Sequence, residues 1–244
     1  MVRFSHNKAL SIIFLTIFID MLGIGILIPV FPLLITHGSE FLVTPASWSQ
    51  AESFIFAGWL LAVFPILQFF CTPILGQLSD KYGRRKLLIL SISGTAISYF
   101  LFAYGILTRN IELLFFSRIL DGASGGNISI AQAVIGDVSA EKDRAKNFGL
   151  VGVSIGLGFV LGPFIGGKLS DPALFVAFNA ATPFWFAGAL SFVNLMLVYF
   201  YLPETSSLKF ALKIDYNKQG KGKLVINYHS LDELDGILNI CLAE

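Results

Sequence analysis

From Leu10 to Leu202 the chain alternates long apolar runs with short polar breaks. Each run is about 20 residues or more, the length a helix needs to cross ~30 Å of hydrocarbon. Six such spans are predicted, at Leu10–Ile35, Phe54–Ile74, Leu87–Leu107, Ile111–Ile135, Phe148–Leu169 and Phe178–Leu202. An even number of crossings puts both ends of the segment on one side of the bilayer. The basic residues name that side. Arg3, Lys8, Lys81, Arg84, Arg85, Lys86, Lys142, Arg144 and Lys146 share the N-terminal side, against Arg109 and Lys168 on the other. Both ends are therefore expected to be cytoplasmic. Trp48 and Trp185 fall where interfacial anchors belong, while Trp59 lies within the second span.

Past Leu202 the pattern changes. Pro203-Glu204-Thr205 stops the sixth helix. Lys209–Asn217 and Lys223–His229 alternate polar and apolar residues with the period of a strand. The segment 217–222, Asn-Lys-Gln-Gly-Lys-Gly, reads as a turn between them. Ser230 and Glu233 are spaced as a capping box, and Leu231, Leu234, Ile237, Leu238 and Cys241 then make one apolar helix face. The expected organisation is an all-α membrane domain over 1–206 and a short ββα cytoplasmic tail over 207–244. A tail of about 35 residues is too small to hold a core of its own and needs a partner.

Composition agrees with an integral membrane protein. Of 244 residues, 55% are hydrophobic, 24 are Phe, 14% are charged, and mean hydropathy is +0.74. Soluble domains carry about 25% charged residues. A net charge of +1 gives no reason to expect nucleic-acid binding. Cys71 and Cys241 make no disulfide framework. His6, His37 and His229 are too scattered for a metal site, and no phosphate-binding Gly-rich loop with Lys-Ser/Thr points to ATP. The first apolar run is too long for a signal peptide and is followed by no cleavage site. No cofactor and no enzyme chemistry are expected.

Charges inside the spans are the candidate chemistry. Asp20 lies near the middle of the first span, where a carboxylate costs about 2.5–3.5 kcal/mol on insertion scales. Such a group should face a polar cavity and exchange a proton there. The plainer expectation is a structural carboxylate capped by hydroxyls such as Thr16. Arg118 and Asp121, three apart in the fourth span, are neighbours on a helix surface and neutralise each other. The alternative role for Arg118 is a fixed positive charge that acts on Asp20.

Two loops repeat one chemistry. Between the second and third spans run Gly76, Asp80, Gly83, Arg84 and Arg85; between the fourth and fifth, Gly136, Asp137 and Arg144. Gly76 is expected to allow a close approach at a helix end and Gly83 a tight turn. An ion-pair network is predicted in which Asp137 meets Arg84 or Arg85 and latches neighbouring helices. In the fifth span, Gly158, Gly162 and Gly166 recur at every fourth position and share one helix face. Missing side chains there let another backbone come close. Pro163 removes one donor and bends the helix.

Taken together, these residues resemble the N-terminal half of a major facilitator superfamily transporter, within the drug:proton antiporters of the tetracycline-efflux type. The resemblance covers about residues 8 to 206. The loop matches the family's hallmark at Gly76, Leu78, Asp80, Gly83, Arg84, Arg85 and Lys86. Arg118 through Gly122 to Gly126 is similar to the fourth-helix motif, whose arginine is associated with proton coupling. Gly149, Gly158, Gly162, Pro163, Gly166 and Gly167 match the antiporter motif of the fifth helix. Asp20 to Gly25, then Pro29 and Pro32, look like the first helix of the tetracycline branch. The resemblance implies a six-helix bundle of two inverted three-helix repeats in the bacterial inner membrane. It implies exchange of protons for a small hydrophobic or amphipathic drug.

A transporter of that kind has about twelve spans, with its substrate between two halves. This chain offers one wall of the cavity, so a homodimer or a separately supplied second half is the expected partner besides lipid, protons and substrate. The segment 212–238 resembles the C-terminal dimerisation segment of ParB-type chromosome-partition proteins, which implies a fusion near 206–209 but no operator-specific DNA binding. The competing readings are a truncated or fused remnant that inserts and moves nothing, and a membrane-tethered dimerisation scaffold.

Overall fold

A computed structural model describes residues 6–36, 39–45, 47–205, 211–216 and 222–227. Among the described residues, seven α-helices follow in order: α1 (His6–Ile35), α2 (Gln50–Tyr82), α3 (Arg84–Thr108), α4 (Ile111–Ser124), α5 (Asn127–Val138), α6 (Arg144–Leu169) and α7 (Thr182–Tyr201). Five of them are long and apolar enough to cross a membrane unaided: α1, α2, α3, α6 and α7.

The fourth predicted span is not one helix. It breaks at Gly125-Gly126 into α4 and α5, of 14 and 12 residues. Each piece reaches only about 20 Å, so the crossing takes both. The cause is local and tertiary at once. Two consecutive glycines weaken the helix, and α2 presses onto the same point. A Cβ on Gly122 would lie 2.6 Å from the Phe64 carbonyl oxygen, and one on Gly126 would lie 2.7 Å from Leu75. The broken helix frees the Gly125 carbonyl, which accepts from Gln68 Nε2 at 3.0 Å and Thr72 Oγ1 at 3.3 Å. Broken backbone inside a membrane protein persists only where side chains satisfy it in this way.

The packing carries the inverted repeat. α1 lies mainly against α6, α2 mainly against α4, and α3 against α7. Exchanging the first three crossings with the last three turns the first contact into the second and leaves the third unchanged. The terminal strands β1 (Ala211–Tyr216) and β2 (Gly222–Asn227) pair antiparallel, with Ile214 opposite Leu224. β1 falls inside the strand expected from alternation, and β2 overlaps its expected strand but starts one residue earlier, at Gly222, which the sequence pattern assigns to the turn; the expected helix after Ser230 lies outside the described residues.

Apolar side chains gather in two clusters stacked along the bundle axis. One takes Leu22 to Ile35 of α1, Tyr99 to Ile106 of α3, Leu114 of α4 and Ala180 to Ala187 at the start of α7. The other takes Ala9 to Met21, Leu87 to Ile92, Ile130 to Val138 and Val198 to Leu202. Where the two clusters meet come Asp20, Asn127 and Thr95, joined by hydrogen bonds, with Ser98, Arg118, Asp121, Ser191 and Asn194 on the same stretches of their helices. A polar layer therefore crosses the middle of an otherwise oily bundle, at the depth where unsatisfied polar groups cost most.

Candidate functional site

The layer is assembled by α1, α3 and the break in the fourth crossing. Asn127, the first residue of α5, donates from Nδ2 to Asp20 Oδ1 at 3.0 Å and lies 3.3 Å from Thr95 Oγ1. The break thus turns the end of a half-helix and its first side chain toward the carboxylate. The hydroxyl cap that the plainer of the two readings drew from Thr16 is not what holds Asp20. Thr16 instead bonds the Ile12 carbonyl at 2.9 Å and Asn194 Oδ1 at 3.1 Å, tying α1 to α7. Asp20 is half-buried, whereas Asn127 is 2% exposed.

Arg118 Nη1 lies 3.5 Å from Asp121 Oδ2, and both side chains are buried. Its guanidinium sits 4.7 Å from the Phe102 ring centre and 5.8 Å from that of Phe64. Arg118 Nε and Nη2 are buried with no hydrogen-bond partner among the described residues. Cation–π contact with two rings offsets part of that loss. Beside this pair, the Ser98 hydroxyl donates to the Thr95 carbonyl at 2.7 Å. Tyr99, fully inside the bundle, stands against Gly23 and within electrostatic reach of Asp20, Arg118 and Asp121. The two candidate charge sites of the sequence are therefore one cluster.

A second assembly closes one end of the bundle. Arg84, 4% exposed, places Nε 3.2 Å from Asp137 Oδ2, donates from Nη1 to Ser79 Oγ at 2.7 Å, and pairs through Nη2 with Asp80. Its backbone N–H donates to Glu204 Oε1 at 2.7 Å. Of the two arginines expected to reach Asp137, Arg84 makes the contact. Arg85 instead donates to the Tyr199 carbonyl and stacks on the Tyr199 ring. Arg144 is exposed and makes no ion pair among the described residues, although it lines the same hollow of about 500 Å³ as Asp80 and Asp137. Gly83 has φ 105° between α2 and α3, in the left-handed region, and the Glu204 carboxylate occupies the space a Cβ would take. Gly76 proves to lie inside α2, where a Cβ would meet only Ser129 Oγ at 3.9 Å, so no close approach depends on it.

Arg84 holds the ends of three segments, so its loss should be felt globally. Arg84→Ala removes the guanidinium from a buried carboxylate, a change that costs about 3 kcal/mol. Asp80 contributes little to that figure, because its side chain is 62% exposed. The expected result is a clearly lower melting temperature in detergent, with Arg85→Ala much milder. Equal melting of the two variants would show that the Arg84–Asp137 contact carries no weight.

The glycine face of α6 meets α1. A Cβ on Gly158 would lie 2.5 Å from Met21 Cβ, one on Gly162 2.7 Å from Gly25 Cα, and one on Gly166 2.6 Å from the Ile26 carbonyl oxygen. Pro163 is part of the same contact, its Cδ 3.1 Å from a Cβ built on Gly25. Gly149 and Gly167 have nothing within 4 Å of a built Cβ. The six motif positions therefore split into four that seat α1 and two that face outward.

Asn127, Thr95 and Ser98 were not among the residues singled out from the sequence, and Glu204 was read only as part of the stop after the sixth span. The Gly125-Gly126 pair before Asn127 was the available signal, since paired glycines in a span mark a break and a break exposes polar termini. Nothing in the sequence marks Glu204 as the partner of the Arg84 backbone, 120 positions away.

Comparison with known proteins gives these sites a family. The family described as Major Facilitator Superfamily matches residues 13–227, a range that continues past 206 into the paired strands. The chain is 36% identical over 202 residues to the class C tetracycline resistance protein of Escherichia coli, covering 82% of this chain and 46% of that protein. It is 34% identical over 199 residues to the class H tetracycline resistance protein of Pasteurella multocida (82% and 45%), and 30% identical over 221 residues to human major facilitator superfamily domain-containing protein 10 (84% and 46%). The chain thus spans about half the length of the curated relatives it matches. Among solved structures, the human organic anion transporter MFSD10 (TETRAN) superposes with a TM-score of 0.65 at 24% identity, over 98% of this chain and 61% of that one. A D-xylose-proton symporter gives 0.67 at 17% identity, over 82% and 48%. The chain belongs to the major facilitator superfamily, a family of integral membrane transporters and not of enzymes.

Proposed function

We propose that the chain forms one wall of the passage in a proton-coupled exporter of small hydrophobic or amphipathic drugs of the tetracycline type. The observation that carries this reading is the polar layer. Asp20, held by Asn127 at the break in the fourth crossing, shares it with Arg118, whose Nε and Nη2 have donor capacity to spare. A carboxylate there can take and release a proton, and a neighbouring arginine makes that event depend on where the helices stand. The names of the tetracycline resistance relatives support the cargo class. A second copy of the chain or a separate second half supplies the facing wall. The Arg84–Asp137–Glu204 assembly latches the cytoplasmic end, and both termini of the helical segment lie on that side of the plasma membrane.

The test is transport in sealed vesicles under an imposed proton gradient. Tetracycline movement is expected to require the gradient and to stop on adding a protonophore. If neither the chain alone nor the chain with a co-produced second half moves tetracycline, the reading fails.

A further inference from the structure

At the end of the bundle opposite Arg84, the start of α2 and the start of α4 flank an open hollow of about 590 Å³, lined by Trp48, Glu52, Ile55, Phe56, Trp59 and Phe115. Four of these, at 52, 55, 56 and 59, follow the i, i+3, i+4, i+7 spacing of one helix face. The rings are locked together. Trp48 meets Phe56 edge-on with centroids 5.8 Å apart, and Phe56 meets Phe115 edge-on at 5.6 Å. Phe56 is buried, so the cluster is a fixed wall, while Trp59 is 60% exposed and forms the rim.

One charge faces these rings. Glu52 Oε2 accepts from the Ser49 backbone N–H at 2.7 Å and from Ser49 Oγ at 2.8 Å, which holds the carboxylate in place. None of the lining residues is cationic. Aromatic faces attract a cation, and they do so most when it is large and weakly hydrated. A fixed carboxylate beside them adds charge complementarity. A neutral hydrocarbon would gain nothing from Glu52, and a small inorganic ion would gain little from the rings. We infer that this hollow binds a lipophilic organic cation, with the rings on its apolar body and Glu52 on its charge. The site is separate from the polar layer and does not depend on transport.

The experiment uses the full chain in detergent with Trp185→Phe, so that the two remaining tryptophans report from the hollow. Tetraphenylphosphonium is expected to quench the emission saturably. Glu52→Gln is expected to weaken its binding about fivefold, the scale of one exposed charge beside aromatic rings. Gln keeps the third-position capping role, so α2 still starts normally. Trp59→Ala, at an exposed rim position, is expected to weaken binding similarly without disturbing the core. The neutral triphenylphosphine oxide should bind more weakly and be indifferent to Glu52→Gln. The inference is overturned if Glu52→Gln binds tetraphenylphosphonium as the parent does, or if the neutral compound binds as tightly as the cation.

Discussion

Asp20→Asn is expected to cut proton-driven drug movement by about 100-fold, the lower end of what a positioned proton-transfer group contributes. The fold should survive. An asparagine oxygen still accepts from Asn127 Nδ2, which now lies 3.0 Å from Asp20 Oδ1. The change also removes a carboxylate whose insertion costs about 2.5–3.5 kcal/mol. Melting temperature in detergent should therefore stay level or rise while transport collapses. That opposite movement separates a working carboxylate from a structural one. Vesicle transport at unchanged rate would show that Asp20 carries no proton. A collapse of folding together with transport would show that the carboxylate is a structural hydrogen-bond acceptor.

Gly162→Val should have the largest effect on stability. A Cβ at 162 would come within 2.7 Å of Gly25 Cα and 2.8 Å of the Leu22 carbonyl oxygen. Both obstacles are backbone, so no side chain can swing away. The helices must separate along the contact that also seats Gly158 and Gly166. Overpacking of this kind costs about 1–3 kcal/mol in ordinary cores, and about 3 kcal/mol or more is expected where two backbones touch. Gly149→Val and Gly167→Val, where a Cβ meets nothing, should melt like the parent. Thermal unfolding of the three variants in one detergent checks the order. Equal melting would mean that α1 and α6 do not touch at Gly25 and Gly162.

These two predictions differ in how readable they were from the chain alone. The glycine face of α6 was legible because a helix repeats every 3.6 residues, so spacing alone puts Gly158, Gly162 and Gly166 together. Its partner was not legible, because spacing within one helix says nothing about which neighbour it meets. Asp20 stood out because charge is rare in an apolar span. The sequence offered Thr16, one turn away on the same helix, for a structural carboxylate and Arg118 for a working one, whereas the hydrogen bond comes from Asn127, 107 positions on. Nearness along one helix and the rarity of charge in a span were the guides available, and neither marks a neutral side chain on another helix. The fourth crossing shows the same limit. Its length and hydropathy read as a single helix, and the glycine pair became a break only with α2 pressed against it.

What the chain determined by itself was the number of crossings, the presence of two strands after them and the presence of buried charge. Those follow from hydrocarbon thickness and from side-chain periodicity, which are properties of short stretches. Tertiary structure alone decided that Asp20, Asn127, Arg118 and Asp121 form one layer, that Arg84 rather than Arg85 holds Asp137, and that Glu204 closes the same latch. Those contacts join residues far apart in sequence. Their geometry is set by how closely six crossings pack, and no single segment contains that information.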